Sequence, residues 1–336
     1  MGLALGQAVA GSVDNVSITA IADPDSEAAR QAGPLVGEAV KIYQDTAAAL
    51  EHPGLRAVLV ATPTPTHADI VEEALVRGLH VFCEKPLSFE PEASDRLGIY
   101  ARDAGLVLQV GFFRRYSTPW VTARKLLAEG ALGEPVFIRS STWDKDLPVP
   151  AFADPAVSGG LIVDDGIHEF DVVEWLTGRP IQRVACVVAP VAHPELRLAG
   201  DIDCAATLLE LEGGVPAVID LSRNARYADD MRTEILVPDG AIFIDTVPGG
   251  HTRVGTRRGR NVIDESLVTD GFLDGVARQL AAFATAVDDR MLQFPDAFAS
   301  SRAMRAAIAA NQAGATGRWV SVQEVSAFQP PTALFN

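Results

Sequence analysis

The segment Asp164-Asp165-Gly166-Ile167-His168-Glu169-Phe170-Asp171-Val172-Val173-Glu174-Trp175 contains residue types that can take a proton from an alcohol. At about 100° per residue, Asp164, His168, Asp171 and Trp175 share a stripe about 60° wide on an otherwise largely apolar helix. An acid and a histidine four residues apart meet on a helix surface, where the carboxylate orients the ring and favours its protonated form. A general base acting on a hydroxyl needs such a pair. Two plainer readings fit the same residues, a capped amphipathic helix with a satisfied histidine and a zinc site. The zinc reading has no convincing third and fourth ligand, so no metal is expected.

Other chemistry lies where apolar runs end. His80 to Cys83 passes directly into Glu84-Lys85-Pro86, placing an anion and a cation where burial of charge is costly. Pro86 holds Lys85 extended or across a cis bond, so its side chain is aimed; an ordinary strand-end ion pair is the alternative. The run Val16 to Ala22 ends in Asp23, about twenty residues after Gly2, where a dinucleotide fold sets an acid against the adenosine ribose. A carboxylate there repels a 2′-phosphate, which favours NAD over NADP, although Asp23-Pro24-Asp25 could equally be only a helix cap. In Ala61-Thr62-Pro63-Thr64-Pro65 two prolines rigidify a loop ahead of a helix led by His67, which suits a diphosphate or nicotinamide wall. A cationic aromatic cluster, Gly111-Phe112-Phe113-Arg114-Arg115-Tyr116, follows the next run.

The elements that must hold these residues alternate over the first third of the chain. Strand-like runs at 16–22, 57–61, 80–83 and 107–110 are separated by helical patterns at 26–32, 46–51, 67–77 and 90–104, the last with Ser88 as its cap. That alternation predicts a doubly wound parallel sheet. From about residue 116 the pattern changes to a helix at 119–129 and strands at 135–141, 184–191, 204–211, 217–221, 233–237 and 241–244. Glu212-Gly213-Gly214 and Pro238-Asp239-Gly240 read as hairpin turns. Helices at 272–288 and 296–315 close the chain. The expectation is a Rossmann-type dinucleotide-binding domain over 1–115 and an α+β domain with a large, open-faced, mainly antiparallel sheet over 116–336.

Bulk composition narrows the function. The 336 residues carry a formal charge of −16, which repels phosphate backbones and anionic membrane surfaces. No apolar stretch is long enough to span a bilayer, and no basic segment with an apolar signal core follows Met1. The three cysteines are odd in number and set in apolar surroundings, as buried thiols of a reducing cytoplasm would be. One uncovered sheet face predicts self-association as a homodimer or homotetramer.

Cys83-Glu84-Lys85-Pro86-Leu87, Gln109-Val110-Gly111-Phe112 with Arg114-Arg115-Tyr116, Leu132-Gly133-Glu134-Pro135 and the Asp164 to His168 segment with Asp171 and Trp175 occur in that order. Together they resemble the Gfo/Idh/MocA family over nearly the whole chain. The resemblance implies NAD-dependent oxidation of a ring hydroxyl of an inositol or a sugar. Lys85 would hydrogen-bond the reacting hydroxyl, and His168 would accept its proton with Asp164 as partner. Arg114, Asp171 and Tyr227 would bind other hydroxyls, and Gly2, Asp23, Thr62, Pro63, His67, Glu84 and Lys85 would form the cofactor site. The same residues would serve a keto-sugar reductase. A non-catalytic dinucleotide-sensing regulator tends to lose the lysine and histidine that are present here.

Two departures matter. Relatives begin with an apolar strand and Gly-x-Gly-x-x-Gly, and Met1-Gly2 resembles the last part of that fingerprint. The expectation is a start assigned some ten residues downstream, with poor NAD binding by the chain as written. Ser117 also stands where inositol-specific relatives carry an acid.

Overall fold

Residues 1–13, 16–37, 40–149, 152–245, 253–256, 259–262, 272–289, 295–325 and 327–330 are described by the computed structural model. The chain opens with helix α1 (Gly2–Ser12), β1 (Ala20–Ala22), α2 (Ser26–Val36), β2 (Lys41–Tyr43) and α3 (Thr46–Leu50). It continues through β3 (Ala57–Val60), α4 (His67–Val76), β4 (His80–Cys83), α5 (Pro91–Asp103) and β5 (Leu108–Val110). Next come α6 (Thr118–Ala128), β6 (Phe137–Trp143), α7 (Pro155–Ser158), α8 (Gly160–Asp164) and α9 (Gly166–Thr177). Strands β7 (Ile181–Ala189), β8 (Cys204–Leu211), β9 (Pro216–Ser222), β10 (Asp230–Val237), β11 (Gly240–Asp245), β12 (Arg253–Thr256) and β13 (Gly259–Val262) follow. Helices α10 (Phe272–Asp288) and α11 (Ala297–Thr316) and strand β14 (Val320–Ser321) complete the order.

Two compact units emerge: 1–88, 92–117 and 272–301 form one, and 89–91, 118–271 and 302–336 the other. Beyond the short excursion at 89–91, the chain crosses between 117 and 118, two residues from the boundary read in the sequence, whereas the return of 272–301 corrects the assignment of everything after 115 to the second domain. Its cause is apolar. Val276, Leu280 and Phe283 of α10 are buried, Phe283 packs edge-on against Phe82 of β4 at 5.9 Å, and Gln109 of β5 donates to the Gln279 carbonyl at 3.0 Å.

In the first unit β1 pairs in parallel with β2, and β3-β4-β5 form a separate parallel sheet with Leu59 opposite Phe82 and Phe82 opposite Gln109. All four residues of β4 are buried, as the middle of a parallel sheet requires. Strand β1 covers 20–22 rather than 16–22, its ladder pairing those residues with 41–43. Helix α5 starts at Pro91, so Ser88 is not its cap. Helix α4 buries His67, Val71, Ala74 and Leu75, one face of a 3.6-residue period.

The second unit is a nine-stranded sheet in the order β13-β12-β11-β10-β6-β9-β8-β7-β14. Its pairings are antiparallel except β6 with β9. Strict alternation in β8 and β9 buries Ala205, Thr207, Leu209 and Leu211 with Ala217, Ile219 and Leu221, the pattern of a sheet with one covered face. Helix α9 lies against β6 and β9 on that face. The opposite face carries Arg139, Trp143 and Arg232, and Asp220 accepts from Arg139 at 3.2 Å, Ser141 at 2.7 Å and the Trp143 indole at 2.6 Å.

Candidate active site

In the first unit the parallel strands deliver their residues at their carboxyl ends, where open α/β sheets bind ligands. Asp23 follows β1, Thr62 and Pro63 follow β3, and Glu84 and Lys85 follow β4. Within Asp23-Pro24-Asp25, Asp25 caps α2, accepting from the amides of Glu27 at 3.0 Å and Ala28 at 3.1 Å, and Asp23 accepts from the Asp25 amide at 2.8 Å. The Lys85-Pro86 bond is cis. Glu84 is buried, its carboxylate accepts from the Lys85 amide at 3.2 Å, and it lies so close to Gly111 that a Cβ there would come within 2.9 Å of Oε2. Gly111 after β5 is therefore a close-approach glycine that makes room for the Glu84 carboxylate.

His67 differs from its expected role. It is 1% exposed, with Nε2 2.7 Å from the Thr62 carbonyl oxygen and Nδ1 2.8 Å from that of Pro86. The ring joins the loops after β3 and β4. Burial above all, and the charge of Lys85, lower its pKa, although the two carbonyls favour the protonated ring.

In the second unit the expected continuous helix is broken. Asp164 ends α8 and His168 lies in the first turn of α9, with Asp165 as the junction. The Asp165 amide still donates to Leu161 at 3.1 Å, but the His168 amide donates to Asp165, three residues back, at 3.2 Å. A tighter turn thus replaces the α-helical ladder there. The polar stripe survives in part: Asp164, His168 and Trp175 are half-buried, Asp171 is buried, and the surrounding Ile167, Phe170, Val172 and Val173 are fully buried.

Three residues that the sequence reading passed over stand at this junction. Arg223, 2% exposed, is ion-paired with Asp201 and reaches Asp165 at 3.8 Å and Asp164 at 4.0 Å. Burial opposes the Arg223 charge most strongly, but Asp201, Asp165 and Asp164 together raise its pKa. Asp144, just after β6, has its pKa raised by burial first and then by the charges of Asp229 and Asp164. A charge directly after a strand was the available signal for Arg223, which follows β9 as Glu84 follows β4; Asp201, three residues ahead of β8, carried no such signal.

Of the remaining expected hydroxyl binders, Arg114 belongs to the first unit and Tyr227 to the second. Arg114 is 2% exposed, with its guanidinium 5.8 Å from the Phe113 ring centroid. Tyr227 is 64% exposed, and its hydroxyl donates to the buried Asp230.

Comparison with known proteins bears on both units. Residues 1–112 match the model of an oxidoreductase family with an NAD-binding Rossmann fold, and residues 120–243 match the GFO/IDH/MocA C-terminal domain. The chain belongs to the Gfo/Idh/MocA family. One relative, the NAD-dependent scyllo-inositol 2-dehydrogenase of Bacillus subtilis strain 168, is 31% identical over 248 residues, 74% of this chain and 72% of that protein. The inositol 2-dehydrogenase of Streptomyces avermitilis is 30% identical over 315 residues, 90% of this chain and 86% of its own. A solved structure of scyllo-inositol dehydrogenase from Lactobacillus casei, with NAD(H) and scyllo-inositol bound, superposes with a TM-score of 0.82 at 26% identity and 96% coverage of both chains.

The cofactor of a Gfo/Idh/MocA protein fits the residues of the first unit. Helix α1 has no side-chain cap and no acid in its first turn, leaving its leading amides to an anion such as a diphosphate. A Cβ on Gly2 would be in ordinary contact with Ala61, at 3.7 Å. Asp23 after β1 would give the ribose an acceptor, and Lys85 after β4 would bring a cation to the same strand ends. The three cysteines are free, and among the described residues no group of side chains could hold a metal and no helix is long and apolar enough to cross a membrane.

Proposed function

We propose that this oxidoreductase converts a ring hydroxyl of an inositol or a related sugar to the ketone. The observation carrying this reading is the half-buried Asp164 to His168 turn, a titratable acid and histidine set into otherwise buried helix. His168 is the general base that takes the hydroxyl proton, and Asp164 orients its ring. Lys85 donates a hydrogen bond to the same oxygen. NAD supplies the acceptor for the hydride leaving the carbinol carbon. Asp171 and Arg114 bind neighbouring hydroxyls, with Tyr227 as a further contact. His67 is a positioning residue for the loops that carry Thr62, Pro63 and Lys85.

The inositol specificities of the relatives support the substrate class. The exposed sheet face, on which Val187 is 74% and Leu208 52% exposed, supports assembly as a homodimer or homotetramer, and free cysteines suit a reducing cytoplasm. A screen of inositol isomers and aldoses with NAD, read by NADH absorbance, tests the reading. NADH formation with a cyclic polyol is expected; none with any inositol or aldose would reject it.

A further inference from the structure

Both ends of the short helix α8 are tied to one buried ion pair. Asp201 is 1% exposed. Its Oδ1 accepts from the Leu161 amide at 3.0 Å, at the start of α8, and its Oδ2 accepts from Arg223. The guanidinium then extends to the other end of α8, where it lies 3.8 Å from Asp165 and 4.0 Å from Asp164. The start of α8 can come this close because Gly159 and Gly160 have φ of +87° and +72°, and because a Cβ on Gly160 would lie 2.7 Å from Asp201 Oδ1. Arg223 is fixed in turn by the sheet. Cys204 pairs with Ser222 across β8 and β9, and the Arg223 amide donates to the Asp203 carbonyl at 3.0 Å.

We propose that Arg223 and Asp201 are positioning residues for the proton-accepting pair, holding the α8–α9 junction in the geometry that presents His168 and its partner Asp164. This inference rests on the function proposed above. An isolated buried charge is expensive and a mere structural filler would be apolar, whereas a guanidinium facing Asp201, Asp165 and Asp164 sets both the place and the charge of the junction. Other charged groups around it are Asp144 after β6, which interacts with Arg223, Asp164 and Asp165, with Asp229 and Lys145 beside it. Asp229 is itself bonded to Lys145 at 2.8 Å.

The test uses the full-length chain carrying Arg223→Met, Arg223→Lys or Asp201→Asn. His168 ring titration is followed by NMR on histidine-labelled protein, and the pH profile of kcat is measured with the polyol and NAD. Removing the cation should raise the His168 titration and the acid limb of kcat by about one pH unit in Arg223→Met. Asp201→Asn keeps the Leu161 cap but removes an anion, and should move both the opposite way. Turnover of Arg223→Met should fall roughly 10²-fold with the KM for NAD little changed, because the junction is displaced while the first-unit residues are not; Arg223→Lys should recover part of the loss. If Arg223→Met does not fold, Asp201→Asn still carries the downward shift, against which Arg223→Lys, keeping the cation, should leave the titration near that of the unaltered chain while lowering turnover. A His168 titration that none of the folded variants moves, or that all move in one direction, would overturn the proposal. An unaltered chain that turns over no polyol refutes the function instead, and the NMR titration then decides the positioning role alone.

Discussion

The imidazole Nδ1 of His67 and the carbonyl oxygen of Pro86 lie 2.8 Å apart across nineteen residues of chain. With Thr62 on the other ring nitrogen at 2.7 Å, one buried side chain joins two of the loops that the parallel strands deliver to the cofactor end of the first unit. His67→Ala would leave both carbonyls facing a void, at a cost of about 1–3 kcal/mol. Its thermal melting should fall, and NAD should bind more weakly in a calorimetric titration. An unchanged NAD affinity would mean that the two loops hold their places without the ring.

The same histidine gives a pH dependence with a definite sign. Burial lowers its pKa in the folded chain from the ordinary 6.5, so below pH 6.5 the unfolded chain takes up a proton that the folded one refuses. Stability should therefore be complete above pH 6.5 and be lost as pH falls through that value toward the folded pKa. In His67→Gln this component should be missing, so the melting temperatures of the two proteins should converge with acidification. Parallel curves would contradict it.

Asp23 and Asp25 should separate in mutagenesis as they do in geometry. Asp25→Ala removes the α2 cap and should cost about 0.5–2 kcal/mol without changing cofactor choice. Asp23→Ser should narrow the preference for NAD over NADP while leaving melting nearly unchanged. The comparison of kcat/KM for the two cofactors in both variants checks it, and a preference altered by Asp25→Ala instead would reverse the assignment.

Glu169 follows His168 on α9 and is fully buried, accepting from Ser140 and Thr142 of β6. Ser140 also meets the Thr233 hydroxyl at 2.9 Å, and that hydroxyl accepts from the Trp120 indole at 3.0 Å. This network fixes α9, and with it His168, on the sheet. Glu169→Ala would strand two hydroxyl donors in the interior and should destabilise the second unit by about 2–4 kcal/mol. Melting followed by tryptophan fluorescence should register it, since Trp120 is in the network; an unchanged transition would remove Glu169 from the support of α9.

Much of this arrangement was legible in the sequence because its physical cause was local. The alternation in 204–211 reproduces β8 residue for residue, and the polar charges after apolar runs located Asp23, Thr62 and Glu84-Lys85 at strand ends. What escaped depended on distant register. Arg223 and Asp201 meet because β8 and β9 pair with Cys204 opposite Ser222, which no spacing announces. The break at Asp165 was hidden because Asp164 to Trp175 has helical periodicity throughout, and only the tether on α8 distinguishes its two halves. The return of α10 to the first unit was invisible because Val276, Leu280 and Phe283 make an apolar stripe that would cover either sheet.

The central claim is that His168 takes the proton from a cyclic polyol as NAD is reduced. Its most direct test is steady-state turnover of His168→Ala beside the unaltered protein, with the best inositol substrate and NAD, alongside calorimetric NAD affinity for both. The account predicts turnover reduced roughly 10²- to 10⁴-fold with NAD affinity nearly intact. Turnover of His168→Ala close to that of the unaltered protein would contradict it.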